Sequence, residues 1–234
     1  MYMQDAAIRD SSEVDSIVQS FVWVPKFDRL ASVLDILNTV KGDIPGTTHV
    51  IVRDFQGEVT NRVTIEFAPE IITSIDLSLL VGGCREDNGL VHGLVEVRSP
   101  ISFVHAFRLA SDSESLPMRE SVRLSRTAPF FSFLNTAVSS TSFFALLNLS
   151  NEEAEVQCRL YWERTYREII KVVPPNGTRI LRIEDDFEDA LEMEKDQVPQ
   201  YVRVSQKSER SAIAVQLIEK SIDDSGNCHY ASFV

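Results

Sequence analysis

Alternation with a period of two constrains this chain more than any other feature. In Thr48-His49-Val50-Ile51-Val52-Arg53-Asp54-Phe55 and Val63-Thr64-Ile65-Glu66-Phe67, apolar and polar side chains take turns and β-branched residues are frequent. That pattern belongs to a strand with one buried face, because successive side chains point to opposite sides of a sheet. Gln56-Gly57-Glu58 reads as the turn between the two strands. Ala154 to Tyr161 alternates in the same way, and so does Glu168 to Val173 after a link at Glu163 to Arg167. Further strand-like stretches cover Leu94 to Val97, Ser102 to Leu109, Tyr201 to Val204 and Ala212 to Ile218, while long helical periodicity is nearly absent. The predicted class is all-β.

The two halves overlay. Val33 to Asn38 matches Phe143 to Asn148, the hairpins follow, and Phe67-Ala68-Pro69 matches Val173-Pro174-Pro175. Ile75-Asp76-Leu77 then matches Ile183-Glu184-Asp185, Leu94 to Val97 matches Tyr201 to Val204, and Pro100 to His105 matches Ser211 to Gln216. The offset is about the size of one β-sandwich, roughly 100 residues. This reads as an internal duplication giving two tandem antiparallel β-sandwich domains. The expected boundaries are residues 1–20 for an N-terminal arm or short helix, 21–110 for the first sandwich, 111–127 for a linker or crossing strand, and 128–234 for the second sandwich.

Corner residues fit this plan. Asn38 and Asn148 each close a strand, where Asn tolerates a left-handed or turn conformation and bonds the backbone through its side chain. Pro69, Pro174 and Pro175 end the second hairpin strands by removing a ladder donor. Polar segments such as Arg98-Ser99-Pro100 and Ser205 to Ser211 read as exposed turns between two strands, each making a last hairpin that closes its unit. Ser12 followed by Asp15 resembles a helix N-cap with an acidic partner, and Asp185 to Lys195 reads as one or two helical turns carrying Phe187, Ala190 and Leu191 inward.

Charge narrows the function. With 23 basic against 35 acidic side chains the net charge is −12, which repels nucleic acid. The acidic first fifteen residues do not read as a secretory signal, and no apolar run approaches the roughly 20 residues of a membrane span. Cys84, Cys158 and Cys228 are far apart and odd in number, as expected of free thiols in a cytoplasmic protein.

The pattern of Asn148, the alternating Ala154 to Tyr161, Val172-Val173-Pro174-Pro175-Asn176-Gly177-Thr178-Arg179, Ile213-Ala214-Val215-Gln216 and the closing Tyr230-Ala231-Ser232-Phe233 resembles the sensory rhodopsin transducer family. The resemblance covers Ala128 to Val234 and, more weakly, Phe21 to Leu109, with Val22-Trp23-Val24-Pro25 as an entry strand. It implies a small cytoplasmic β-sandwich that oligomerises and passes on a signal without doing chemistry. Two copies in one chain depart from the single module usual in that family.

Residues capable of chemistry are scattered. His49, His92, His105 and His229 have no short metal-ligand spacing. The acidic run from Glu184 to Asp196 lacks calcium-loop spacing and reads as a solvated face. Gly82-Gly83-Cys84 is the nearest approach to a nucleophile turn, without a base beside it. No phosphate loop is present, so no cofactor is expected. The aromatic residues remain. Trp23, Tyr161, Trp162 and Tyr166 are candidates for a ligand or partner surface, with one of Tyr161 and Trp162 buried and the other exposed. Phe130, Phe131, Phe133, Phe143 and Phe144 are candidates for a domain or subunit interface. The chain is expected to be a non-catalytic module that binds a protein or itself, with carbohydrate or a small molecule as the alternative ligand.

Overall fold

The computed structural model describes residues 17–28, 30–39, 46–100, 103–111, 115–118, 122–124, 128–134, 140–194, 197–207, 211–222 and 228–233. The first half forms β1 (Ile17–Pro25), β2 (Ala31–Asn38), β3 (Gly46–Arg53), β4 (Val59–Phe67), β5 (Ile72–Asp76), the one-turn α1 (Leu77–Leu80), β6 (Glu86–Asp87), β7 (Leu90–Pro100), β8 (Phe103–Ala110) and β9 (Ser115–Met118). The second forms β10 (Val122–Arg123), β11 (Phe130–Phe133), β12 (Ser140–Asn148), β13 (Ala154–Tyr161), β14 (Tyr166–Val173) and β15 (Thr178–Arg182). It continues with α2 (Ile183–Asp186), α3 (Glu188–Met193), β16 (Tyr201–Gln206), β17 (Ile213–Ile222) and β18 (Cys228–Phe233). The class is all-β. No helix among the described residues is long and apolar enough to cross a membrane.

The strands make antiparallel sheets that we label by layer. Sheet I has the order β5-β2-β8-β9, and sheet II the order β1-β7-β3-β4 with β6 on β7. Sheet III runs β15-β12-β17-β10 with β18 on β17, and sheet IV runs β11-β16-β13-β14. The same order therefore recurs in the two halves, sheet I corresponding to III and sheet II to IV. The ladders agree residue by residue apart from a register shift at Val52/Arg53, where β3 meets β4, that β13 and β14 lack. Gly46 lies opposite Phe67 as Ala154 lies opposite Val173, and Asn38 lies opposite Phe103 as Asn148 lies opposite Ile213. The sequence overlay of Val33 on Phe143 and Leu94 on Tyr201 has this register. The overlay of Ser102 on Ile213 is one residue out, because Phe103 is the true counterpart. That matters, since a one-residue slip exchanges the two faces of a strand.

Burial gives the layer order I, II, III, IV. One apolar cluster joins Leu34 and Ile36 of sheet I, Val22, Val50, Val52, Val95 and Val97 of sheet II, and Ala145, Leu147, Ile180, Ala214 and Ile218 of sheet III. A second joins Phe144, Leu146, Leu181, Val215 and Leu217 of sheet III to Val156, Cys158, Leu160, Val202 and Val204 of sheet IV. Sheets II and III are thus interior layers. Their central strands lose the alternation and become continuously buried, over His92–Val97, Phe144–Asn148 and Ile213–Ile218. A strand covered on both faces has no solvent side for polar residues to occupy.

Several expectations change. The arm or short helix predicted for residues 1–20 gives way to strand from Ile17, because Ile17 to Pro25 completes sheet II against β7; the Ser12–Asp15 cap lies outside the described residues. Arg98 to Pro100, expected as a turn, extends β7, and the closing hairpins do not form: β7 and β8, like β16 and β17, lie in different sheets, because the chain crosses from one layer of the sandwich to the other between them. Residues 111–127 contribute β9 to sheet I and β10 to sheet III, so this crossing segment is shared between the sandwiches. Asn38 and Asn148 are not left-handed; positive φ occurs instead at Glu70, Asn88, Asn176, Gly57 and Gly89. Asn148 works through its side chain. Its Nδ2 donates to the carbonyls of Glu152 (2.7 Å), Val173 (3.1 Å) and Pro174 (3.1 Å), and its Oδ1 accepts from Ser150 N (3.0 Å).

Candidate functional site

The outward face of sheet IV carries the most distinctive surface among the described residues. On β13 the inward positions are Ala154, Val156, Cys158 and Leu160, so Glu155, Gln157, Arg159 and Tyr161 point out. Ladder pairing then extends each outward residue across the sheet. Phe133 pairs with Tyr201, Tyr201 with Tyr161, and Tyr161 with Tyr166, so four aromatic side chains stand in one row across all four strands. Their centroids are 6.2, 4.5 and 5.4 Å apart, and the Tyr201 and Tyr161 rings stack at 12°. Phe133 at the edge strand is 83% exposed and Tyr166 at the other edge 48%.

A charged row lies beside the aromatic one. Phe131 pairs with Arg203, Arg203 with Arg159, and Arg159 with Glu168. Arg203 lies over the Phe131 ring at 5.7 Å and Arg159 over Tyr166 at 5.1 Å. Arg159 Nε donates to Glu168 Oε2 at 2.7 Å, and this bond holds the Glu168 carboxyl below its usual range. Arg203 Nε is buried without a hydrogen-bond partner. Phe131, Ser132, Phe133 and Tyr201 line an open depression of about 240 Å³ at the edge of the sheet. The surface combines flat apolar rings, phenol hydroxyls and guanidinium groups, the chemistry of an interface anchor.

The sequence candidates divide between this face and the interior. Tyr161, Tyr166, Phe131 and Phe133 belong to the exposed face. Trp162 is buried in the second core while its neighbour Tyr161 faces out, as alternation requires. Trp23 is 0% exposed and lines no free surface. It sits where sheet III covers sheet II, its backbone N–H donating to Gln216 Oε1 at 2.9 Å and its backbone carbonyl accepting from Gln216 Nε2 at 3.4 Å. Phe130 and Phe144 are core residues of the second sandwich, and Phe143 packs between the sandwiches against Phe27 at 5.4 Å. Tyr201 and Arg203 were not among the candidates. The signal that identifies them is the alternation of Tyr201-Val202-Arg203-Val204, in which two valines face in.

The remaining chemical groups lie away from this face. His92, expected near a turn, is fully buried in β7, with Nδ1 3.3 Å from Thr178 Oγ1 and Nε2 3.7 Å from Asp87 Oδ2. Its ring also packs on Trp23 and Phe55 at the junction of the sandwiches. Cys84 is buried against Thr60 Oγ1, and burial raises its pKa. Basic neighbours pair with the acidic run after β15, as in Arg182–Asp185 (2.7 Å), Arg167–Glu194 (3.2 Å) and Lys171–Asp186. Among the described residues no group of three or more His, Cys, Asp or Glu side chains is arranged to hold a metal.

No family model and no curated protein matches the sequence. The reading of the site rests on its geometry.

Proposed function

We propose that this chain is a non-catalytic binding and assembly module, built from a duplicated β-sandwich, that recognises a protein partner through the outward face of sheet IV. The observation that carries the reading is the row Phe133, Tyr201, Tyr161 and Tyr166. Exposed aromatic area is costly in water, roughly 25 cal/mol per Å², and an aligned set of rings recovers that cost when a partner covers it. The flanking Arg159, Arg203 and Glu168 supply the polar surround that gives such a contact direction. The resemblance to the sensory rhodopsin transducer family points to the same class of role.

A second reading is a carbohydrate or small-molecule platform, favoured by the parallel Tyr161 and Tyr201 rings beside hydrogen-bonding side chains. The experiment compares wild type with Phe133→Ser/Tyr166→Ser. The protein reading expects association in sedimentation velocity that the double variant loses, with its circular dichroism unchanged. A double variant that associates like wild type would overturn it. Saturable binding of one sugar class on a glycan panel, with no protein association, would replace it with the second reading.

A further inference from the structure

The internal contact between sheets II and III is a template for what sheet IV can meet. Because β1, β7 and β3 share one register with β11, β16 and β13, each residue of those strands that faces sheet III has a counterpart on the free face of sheet IV. Trp23 pairs with Leu94 as Phe133 pairs with Tyr201. Phe133 therefore stands in the place of Trp23, Phe131 in that of Phe21, Tyr201 in that of Leu94 and Arg203 in that of Glu96. The covering side transfers too. In sheet III, Leu147 lies between Thr178 and Ala214, and Ala145 between Ile180 and Gln216. In sheet I, Leu37 lies between Ile72 and Val104, and Asp35 between Ser74 and Ala106.

We infer that sheet IV docks on sheet I of a second copy, repeating between molecules the contact that sheets II and III make within one. The inference rests on the proposed binding role of sheet IV and names its partner. The Trp23 backbone meets the Gln216 side chain inside the molecule, so in the same register Phe133 falls at Ala106 of the neighbour, without the two hydrogen bonds that Gln216 makes. Ala106 is exposed and small, and the row beside it is apolar and open: Ile72 is 66% and Val104 56% exposed. The changes from the template are complementary in charge. Sheet IV has Arg203 where sheet II has Glu96, and sheet I has Asp35 where sheet III has Ala145. Arg203 Nε is buried without a hydrogen-bond partner among the described residues. Sheets I and IV are the outer layers at opposite ends of the stack, so the contact is head-to-tail and leaves a free face on each terminal copy. Asp35 is paired with Arg108 at 2.7 Å, and desolvating that pair makes the contact weaker than the internal one.

Mixing two single-face variants of the full chain tests this. Phe133→Asp destroys the sheet IV face and Ala106→Arg the sheet I face; both positions are exposed, so circular dichroism should match wild type. Sedimentation velocity is expected to show mass rising with concentration for wild type, each variant alone as a monomer, and an equimolar mixture forming a heterodimer that grows no further. Ala106→Arg associating like wild type would overturn the inference in favour of pairing through sheet IV alone. A mixture that stays monomeric, or a wild type that is monomeric at every concentration, would also overturn it. If such a monomeric wild type binds a different protein that Phe133→Asp fails to bind, the binding role of sheet IV survives and only the second copy is excluded.

Discussion

Gln216 is a direct probe of the four-layer stack. Strand β1 is the edge of sheet II, so alternate backbone groups of β1 have no strand to bond. Sheet III covers that edge, and the fully buried Gln216 amide serves Trp23, with 2.9 Å to its N–H and 3.4 Å to its carbonyl. Gln216→Leu keeps the volume and removes both bonds. The N–H left without a partner in a dry layer costs about 1–3 kcal/mol, and the longer carbonyl bond adds little. With a urea m-value on the order of 2–3 kcal/mol per M, a loss of about 2 kcal/mol lowers the midpoint by roughly 0.7–1 M. The slope should not change, because the apolar cluster still joins sheets I, II and III into one cooperative body. Gln216→Glu should be worse, since a carboxylate cannot donate to the Trp23 carbonyl and is buried. Urea denaturation followed by tryptophan fluorescence reads all three proteins. A Gln216→Leu midpoint within about 0.2 M of wild type, equivalent to about 0.5 kcal/mol, would refute the reasoning and show that the Trp23 edge is solvated.

Gly57 has φ +86°, and a Cβ there would lie 2.1 Å from the Pro175 carbonyl, while Gly89 has φ +78° and open space around it. Gly89→Ala should therefore cost about 1–2 kcal/mol for the left-handed conformation alone, and Gly57→Ala clearly more, read as a larger drop in Tm. Asn148→Asp removes three donations to carbonyls and should cost about 3 kcal/mol in urea denaturation; a near-neutral result would mean that the corner is held otherwise. Burial pushes the Cys158 thiol up to about 12 and also raises that of Cys84, whereas Cys228 is exposed. A thiol reagent should therefore titrate one cysteine in the native protein and three in denaturant, and a second fast native thiol would contradict the burial. Burial pulls the Asp35 carboxyl upward, but hydrogen bonds from Arg108 and Ser74 outweigh it and hold its pKa below the ordinary value. Its contribution to stability is thus present above the unfolded pKa, about 3.9, and lost as pH falls through the lower folded value. Asp35→Asn should flatten that acid limb of the stability profile, measured by Tm against pH.

Much of the sheet architecture was legible because alternation reports a one-sided strand directly. Thr48 to Arg53 and Ala154 to Tyr161 became the hairpin strands, and the Asn, Pro and turn positions marked their ends. Half of the site followed from the same rule, which places Tyr161 outward once Leu160 is inward. From Ile17 onward the chain is strand where an arm or short helix was expected, because Ile17 to Pro25 finds its ladder on β7, a partner about seventy residues away in the chain. Trp23 was misplaced as a surface residue for a related reason: large aromatic side chains anchor both free faces and buried contacts, and the sequence around them is alike in the two cases.

Period and corner residues thus settled the class and the facing of the hairpin strands, since these depend on neighbours within a few residues, whereas the order of strands in each sheet was set by the tertiary structure. The stacking of sheet III on sheet II, the burial of Trp23 and His92, and the gathering of Phe133, Tyr201, Tyr161 and Tyr166 into one row were decided by tertiary structure alone. Their cause is pairing between residues far apart in the chain, where a register of one residue chooses the face and the covering layer chooses what remains exposed.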